Sequence, residues 1–351
     1  MSTWDHDKFF DLIEELVLCH SPSGVEGEVN AYLQTYLKTC GDKQDIDYWH
    51  DEADNIVIKI PGKTSTNAIA ITAHKDEIGG IVKGIQPNGR LQIRKLGGAF
   101  PWVYGEGVVD LLGDRETVSG ILSFGSRHIS HESSHKVQQE GKAVRWEDAW
   151  VETKLDRYEL EHAGIRPGTR MVMGKHRKRP LRMGDHIASY TLDNKASLAI
   201  LLALVEQIES PPVDVYLIAS AKEEVGAIGA LFFSQRHTIS RLVALEIFPL
   251  AREYPIVDGP RPVLLSQDGY GVYDEGLNAE LRAAAKAAKV SMQEAAISGY
   301  GSDGSIAMKF GHVPKAACLS FPTENTHGYE IADLGAIANC LKVLTHWIPP
   351  C

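Results

Sequence analysis

The sequence predicts an α/β fold interrupted by a β-rich insertion, and three observations carry that reading. The run Val213-Asp-Val-Tyr-Leu-Ile-Ala-Ser220 is apolar and β-branched, as a strand buried in a parallel sheet should be. Segments of helical periodicity alternate with such runs toward both ends of the chain. From about Gly80 to Met183 the texture changes to short alternating stretches split by Pro-Asn-Gly, Gly-Gly and Gly-Asp turns, the pattern of a small barrel or sandwich.

Taken in order, residues 5–19 space their apolar side chains helically, Ser21-Pro-Ser-Gly24 breaks that helix, and Val25 to Thr39 resumes it. Extended segments are expected at Gln44–Trp49 and Asn55–Ile60, then at Ala68–Ala73, which runs into His74-Lys75-Asp76-Glu77. The insertion supplies strands near Gly80–Ile85, Arg90–Arg94, Gly107–Leu112, Val118–Phe124 and Thr169–Met173, with a brief helix at Asp156–His162. Its basic cluster, Lys175-His-Arg-Lys-Arg179, reads as a solvated hairpin tip. After Asp185 the α/β rhythm returns: a helix at Asn194–Glu209, the Val213–Ser220 strand, a helix near Ala227–Gln235 and a strand at Arg241–Glu246. Leu264–Gln267 extended, Leu277–Lys289 helical, Lys315–Phe321 extended and Ala332–Trp347 helical complete the chain.

At 351 residues there is room for two domains of roughly 100–200 residues each. A net charge of −10 argues against nucleic acid as a partner. No apolar run approaches the roughly 20 residues of a membrane span. The acidic start Met-Ser-Thr-Trp-Asp-His-Asp is unlike a signal peptide. Five scattered cysteines without a C-x-x-C pair suit reduced thiols in the cytoplasm, with neither a disulfide framework nor a thiolate metal site.

The chemistry-bearing residues gather at predicted strand ends, where ligands of open α/β sheets lie. His74 and Asp76 follow Ala68–Ala73, Glu223 and Glu224 follow Val213–Ser220, Glu246 ends Leu242–Leu245, and His327 follows Ala316–Phe321. Asp193 sits at the amino-terminal edge of the long helix. Singly, each has an ordinary structural reading: a hydrogen-bonded histidine, a helix N-cap, a solvated glutamate pair. Together, imidazole and carboxylate without thiolate suit zinc, cobalt or manganese, and two histidines with three carboxylates suffice for two ions if one carboxylate is shared. In His74-x-Asp76, residues i and i+2 share one side of an extended chain, so Asp76 can accept the free ring N–H of His74 and fix its tautomer. His131-Glu-Ser-Ser-His135, with His128 nearby, matches the zincin motif. Its polar, serine-rich surroundings offer no apolar stripe to dock the helix that motif requires, so it reads as a surface loop.

The segments Ala73-His-Lys-Asp-Glu-Ile-Gly79, Leu192-Asp-Asn-Lys195, Glu223-Glu-Val-Gly226, Ala244-Leu-Glu246, Gly301-Ser-Asp303 and Pro322-Thr…His327-Gly-Tyr-Glu330 resemble, in order, those of the tetrahedral (glutamyl/leucyl) aminopeptidases, often mislabelled as cellulases. Ser21-Pro-Ser-Gly24 fits as well. The resemblance implies an α/β/α sandwich catalytic domain over 1–79 and 184–351, and an inserted β-barrel for dimerisation or oligomerisation over 80–183. It implies a dinuclear metallo-aminopeptidase acting on peptides with a free N-terminus, assembled as a homo-oligomer, a dodecamer among the options. Asp193 would bridge the ions, His74 and Glu224 completing one, Glu246 and His327 the other, with Glu223 as general base and Asp76 supporting His74. Two positions depart from the family pattern: Glu246, where aspartate is usual, and Lys75, where an apolar residue is usual. Two further readings stay open, a co-catalytic metal amidohydrolase acting on acylated amino acids and a glycosidase using Glu223 and Glu224. The second is strained by chemistry, because glycosidase carboxyls flank the sugar from about 5 Å or more.

Overall fold

In the computed structural model, which describes residues 4–41, 46–126 and 140–348, Val213–Ser220 pairs parallel with Thr64–His74 on one side and antiparallel with Ile56–Ile60 on the other. The chain divides into two units, Met1–Asp76 with Pro180–Cys351, and Glu77–Arg179.

The first unit is built on a mixed sheet of eleven strands. Its main path runs Asp47–His50, Ile56–Ile60, Val213–Ser220, Thr64–His74, Arg241–Pro249, Ala316–Glu324, Glu330–Asp333, His186–Ser189, Leu181–Met183. Val263–Gln267 and Gln293–Ala296 branch from Ala316–Glu324. Val213–Ser220, Thr64–His74, Arg241–Pro249 and Ala316–Glu324 are mutually parallel, so their carboxyl ends open on one edge. Both faces are covered, which is why these strands read as continuous apolar runs. On one face Ile69, Ile71, Val215 and Leu217 pack with the helices His6–Val17, Gly27–Gly41, Leu192–Gln207, Glu275–Ala287 and Leu334–Trp347. On the other, Ala68, Ala70 and Ile218 pack with Phe233 of Ile228–Arg236 and Ala307 of Asp303–Lys309. The period-two alternation along each strand thus feeds two cores, an α/β/α sandwich. Each fully buried leucine or isoleucine contributes about 1.5–3 kcal/mol. Helix entry is marked by side-chain caps: Asp5 accepts from the Lys8 N–H at 2.9 Å, and Asp333 from Gly335 at 2.7 Å.

The second unit is a closed antiparallel barrel, in the order Gly79–Ile85, Leu91–Leu96, Trp150–Glu152, Thr117–Ser123, Gly107–Leu112, Arg170–Met173. Trp150–Glu152 escapes sequence reading because three residues carry no periodicity. The basic cluster differs from the expected hairpin tip: Lys175–Lys178 is a one-turn helix. Lys178 is buried, its Nζ 3.1 Å from both carboxylate oxygens of Glu77, and Arg177 donates to the Tyr104 carbonyl at 2.7 Å. His128, His131 and His135 lie outside the described residues. No helix among the described residues is long and apolar enough to cross a membrane.

Candidate metal centre

Strand register assembles the centre. Ser220 lies opposite His74, and Ala244 opposite Thr72, which brings Glu246 level with His74 on the neighbouring strand. Glu246 does not end its strand as expected, since Arg241–Pro249 continues past it. Asp193 is no simple N-cap either. Although assigned within the helix Leu192–Gln207, Asp193 and Asn194 have non-helical backbone angles, and the regular helix begins after them.

The Asp193 carboxylate spans two imidazoles. Its Oδ1 lies 3.0 Å from His74 Nε2, and its Oδ2 lies 3.4 Å from His327 Nε2. Glutamates surround the pair: Glu246 Oε2 is 3.9 Å and Glu223 Oε2 4.0 Å from His74 Nε2, while Glu224 Oε1 is 3.8 Å from His327 Nε2. By nearest contact His74 sits with Glu246 and His327 with Glu224. Asn194 steadies Glu246 by donating to its Oε2 at 3.2 Å and to the Leu245 carbonyl at 2.8 Å.

Asp76 does more than the His-x-Asp spacing suggests. The nearer partner of His74 Nδ1 is the Asp76 main-chain oxygen, at 3.1 Å, with carboxylate Oδ1 at 3.5 Å. The carboxylate mainly receives N–H donors from Glu223 at 2.9 Å and Glu224 at 3.3 Å, and the Ser23 hydroxyl at 2.6 Å. One buried aspartate thus orients both glutamates, and Ser21-Pro-Ser-Gly24 finds part of its purpose in holding that aspartate. Ser21 and Lys195 both donate to the Lys75 carbonyl, fixing the strand end from beneath.

Two site residues were not singled out from the sequence. Glu330, fully buried, accepts the Asp193 N–H through Oε2 and the His327 N–H through Oε1, each at 2.9 Å. His327 sits at φ +63°, a left-handed conformation that a side chain rarely adopts without such support. Asp303, also buried, accepts from the Ser220 hydroxyl beneath the glutamates. The motifs containing both were visible, but no spacing rule says that a glutamate three residues past a histidine will clamp a distant loop.

The electrostatics describe a pocket short of positive charge. Burial pushes Glu223 well above the ordinary carboxylate range, against the pull of His74 and with the push of Asp303 and Glu224. Glu246 is raised the same way, by burial first and then by Asp193 and Glu223. Glu224 is pushed up to about 7 and Asp303 to about 6, burial being the main cause in each. Asp193 is the opposite case: burial disfavours its charge, yet hydrogen bonds from His327 and His74 hold it below the usual range. His327 in turn rises to about 10, Asp193 and Glu224 outweighing burial. Among the described residues no lysine or arginine forms an ion pair with Asp193, Glu223, Glu224 or Glu246. This donor set fits divalent cations: imidazole and carboxylate ligands and an excess of negative charge. His74, Asp193 and Glu224 already offer ligand atoms within 4.8 Å of one another.

Comparison with known proteins agrees. Residues 54–343 match the family model described as M42 glutamyl aminopeptidase. A provisionally named aminopeptidase, YhfE of Bacillus subtilis (strain 168), is 26% identical over 350 residues, covering 97% of each chain. In fold, the aminopeptidase APDkam598 from the archaeon Desulfurococcus kamchatkensis is similar at a TM-score of 0.87 and 24% identity, over 98% of this chain and 95% of that one. So is Pyrococcus horikoshii TET1 peptidase, which can assemble into a tetrahedron or a large octahedral shell, at 0.85 and 20% identity over 97% and 99%. A family match spanning most of the chain, on a fold and a pocket suited to metal-dependent hydrolysis, makes this protein a member of the peptidase M42 family and an aminopeptidase.

Proposed function

We propose that the protein is a dinuclear enzyme in which Asp193 is shared between two divalent cations, one completed by His74 and Glu246, the other by His327 and Glu224. Zinc suits this donor set best, with cobalt or manganese able to replace it. The observation that carries the proposal is the Asp193 carboxylate presenting one oxygen to each imidazole, at 3.0 and 3.4 Å. When bound, such cations lower the pKa of a water from about 15.7 towards 7 and polarise a carbonyl.

The chain's own residues supply the remainder. Glu223 takes the proton of the attacking water and later delivers it to the leaving amine. Adjacent glutamates serve because they divide the work, Glu224 as ligand and Glu223 as base, with Asp76 holding both main-chain amides. Asp76 acts as a support for His74 and the glutamate loop. Substrates are peptides with a free N-terminus.

The barrel is proposed to mediate self-association. Phe100, Trp102, Ile121 and Tyr158 stand exposed on it, a large apolar allotment for a small unit. A homo-oligomer of this kind, a dodecamer among the options, would be in keeping with the TET1 peptidase, which can assemble into a tetrahedron or a large octahedral shell. The scattered thiols favour the cytoplasm. The test is Glu223→Gln: metal content should stay unchanged while kcat falls by at least about 10²-fold, the usual weight of a general base. Near-normal turnover with both ions bound removes Glu223 from the mechanism.

A further inference from the structure

Lys75 lies in sequence between two residues of the centre, yet its side chain turns away from it. It is fully buried and forms an ion pair with Glu26, which is buried as well, and Asp54 lies 3.6 Å from its ammonium. Desolvating two charges is costly, so such a pair is poor evidence of stability for its own sake. Its use is visible in what Glu26 does with its other oxygen. Oε1 accepts main-chain N–H groups from Gly24 at 3.1 Å and from Lys222 at 3.2 Å.

Lys222 immediately precedes Glu223 and holds φ at +58°, where a residue with a Cβ is disfavoured. Its ammonium is tied to the Ala53 carbonyl at 2.6 Å. The loop is thus gripped from two directions. Asp76 takes the N–H groups of Glu223 and Glu224, and Glu26 takes the N–H one residue earlier. Glu26 is what holds the Lys222 N–H; the residue is otherwise tied by its ammonium and by its carbonyl, which accepts the Ile228 N–H at 3.3 Å.

We propose that Glu26, held in place by Lys75, is a positioning residue that fixes the Lys222–Glu223 main chain and so aims the Glu223 carboxylate. The inference rests on the assignment of Glu223 as general base. It gives the departure at position 75 a purpose, since an ammonium there anchors the glutamate that an apolar side chain could not.

Two double variants isolate the hydrogen bond from the charge. Glu26→Gln with Lys75→Met removes both charges of the pair but keeps an oxygen for the Lys222 N–H. Glu26→Met with Lys75→Met is equally neutral and removes that oxygen. Misplacing a catalytic group by an ångström costs up to about 10²-fold. The double variant carrying Glu26→Met should therefore lose about 10–100-fold in kcat, with KM within about threefold of the parent and metal content unchanged. The double variant carrying Glu26→Gln should stay within about threefold of the parent in kcat. A purely structural role would move the melting temperature of both and the kcat of neither. Equal kcat in the two double variants overturns the proposal, as does a loss with Glu26→Met that tracks lost metal. Glu223→Gln is measured alongside. If it retains turnover, the general-base assignment has failed; if it loses turnover while the two double variants remain alike, only the positioning role has.

Discussion

Replacing Glu330 by glutamine should loosen the grip on cations without altering any ligand. Each Glu330 oxygen accepts one main-chain N–H at 2.9 Å, from Asp193 and from His327. A carboxamide can accept only one of them and turns its NH2 toward the other donor. The variant loses a charge-assisted hydrogen bond, worth about 1.5–3 kcal/mol, and leaves a buried N–H unpaired. If about 2 kcal/mol of that is expressed in ligand placement, metal affinity falls by roughly 10–100-fold, the range expected when a group supporting a ligand is lost. The assay is competition between the cation-free protein and a chelating dye for zinc. It should be run above about pH 8, because burial and the Asp193 charge push Glu330 up to about 8 and only the ionised parent makes both bonds. An affinity within about twofold of the parent would refute the reasoning, because the missing bond would then be worth well under 1 kcal/mol.

Other outcomes follow from the same structure. Glu224 at about 7, Asp303 at about 6 and Glu330 at about 8 all lie above their unfolded values, so the folded cation-free chain binds the extra protons. Its stability should fall as pH rises from about 4.5 to 8, and His327, raised to about 10, extends the same sign upward. Asp76 and Asp193, both depressed, contribute oppositely and only as pH drops below the ordinary carboxylate range. Calorimetry of the chelated protein at about pH 5 and pH 8 checks this, and a higher melting temperature at the alkaline value would contradict it. Leu201→Ala, in a fully buried position of the Leu192–Gln207 helix, should cost about 2–5 kcal/mol in urea unfolding. A cost below about 1 kcal/mol would mean that the core collapses around the gap.

Much of the centre was legible because parallel strands announce themselves. Ala68–Ala73, Val213–Ser220 and Ala316–Phe321 are apolar enough to place, and a polar ligand type at a strand end is then conspicuous. His74, Asp193, Glu223, Glu224, Glu246 and His327 are brought together in the structure. What stayed hidden depends on contacts between segments far apart. Glu330 joins Asp193 to His327 from a strand of four residues, too short to show a period. Asp76 lies too close to His74 in the chain for spacing alone to reveal that its carboxylate serves Glu223 and Glu224. Lys178, in a run of four cations and a histidine that looks solvated, is buried against Glu77 from 101 residues away.

The sharpest test of a shared Asp193 is anomalous diffraction from crystals grown with zinc. Two peaks are expected, each about 2.0–2.2 Å from a different oxygen of Asp193. A single peak, or two that leave Asp193 uncoordinated, would contradict the dinuclear centre.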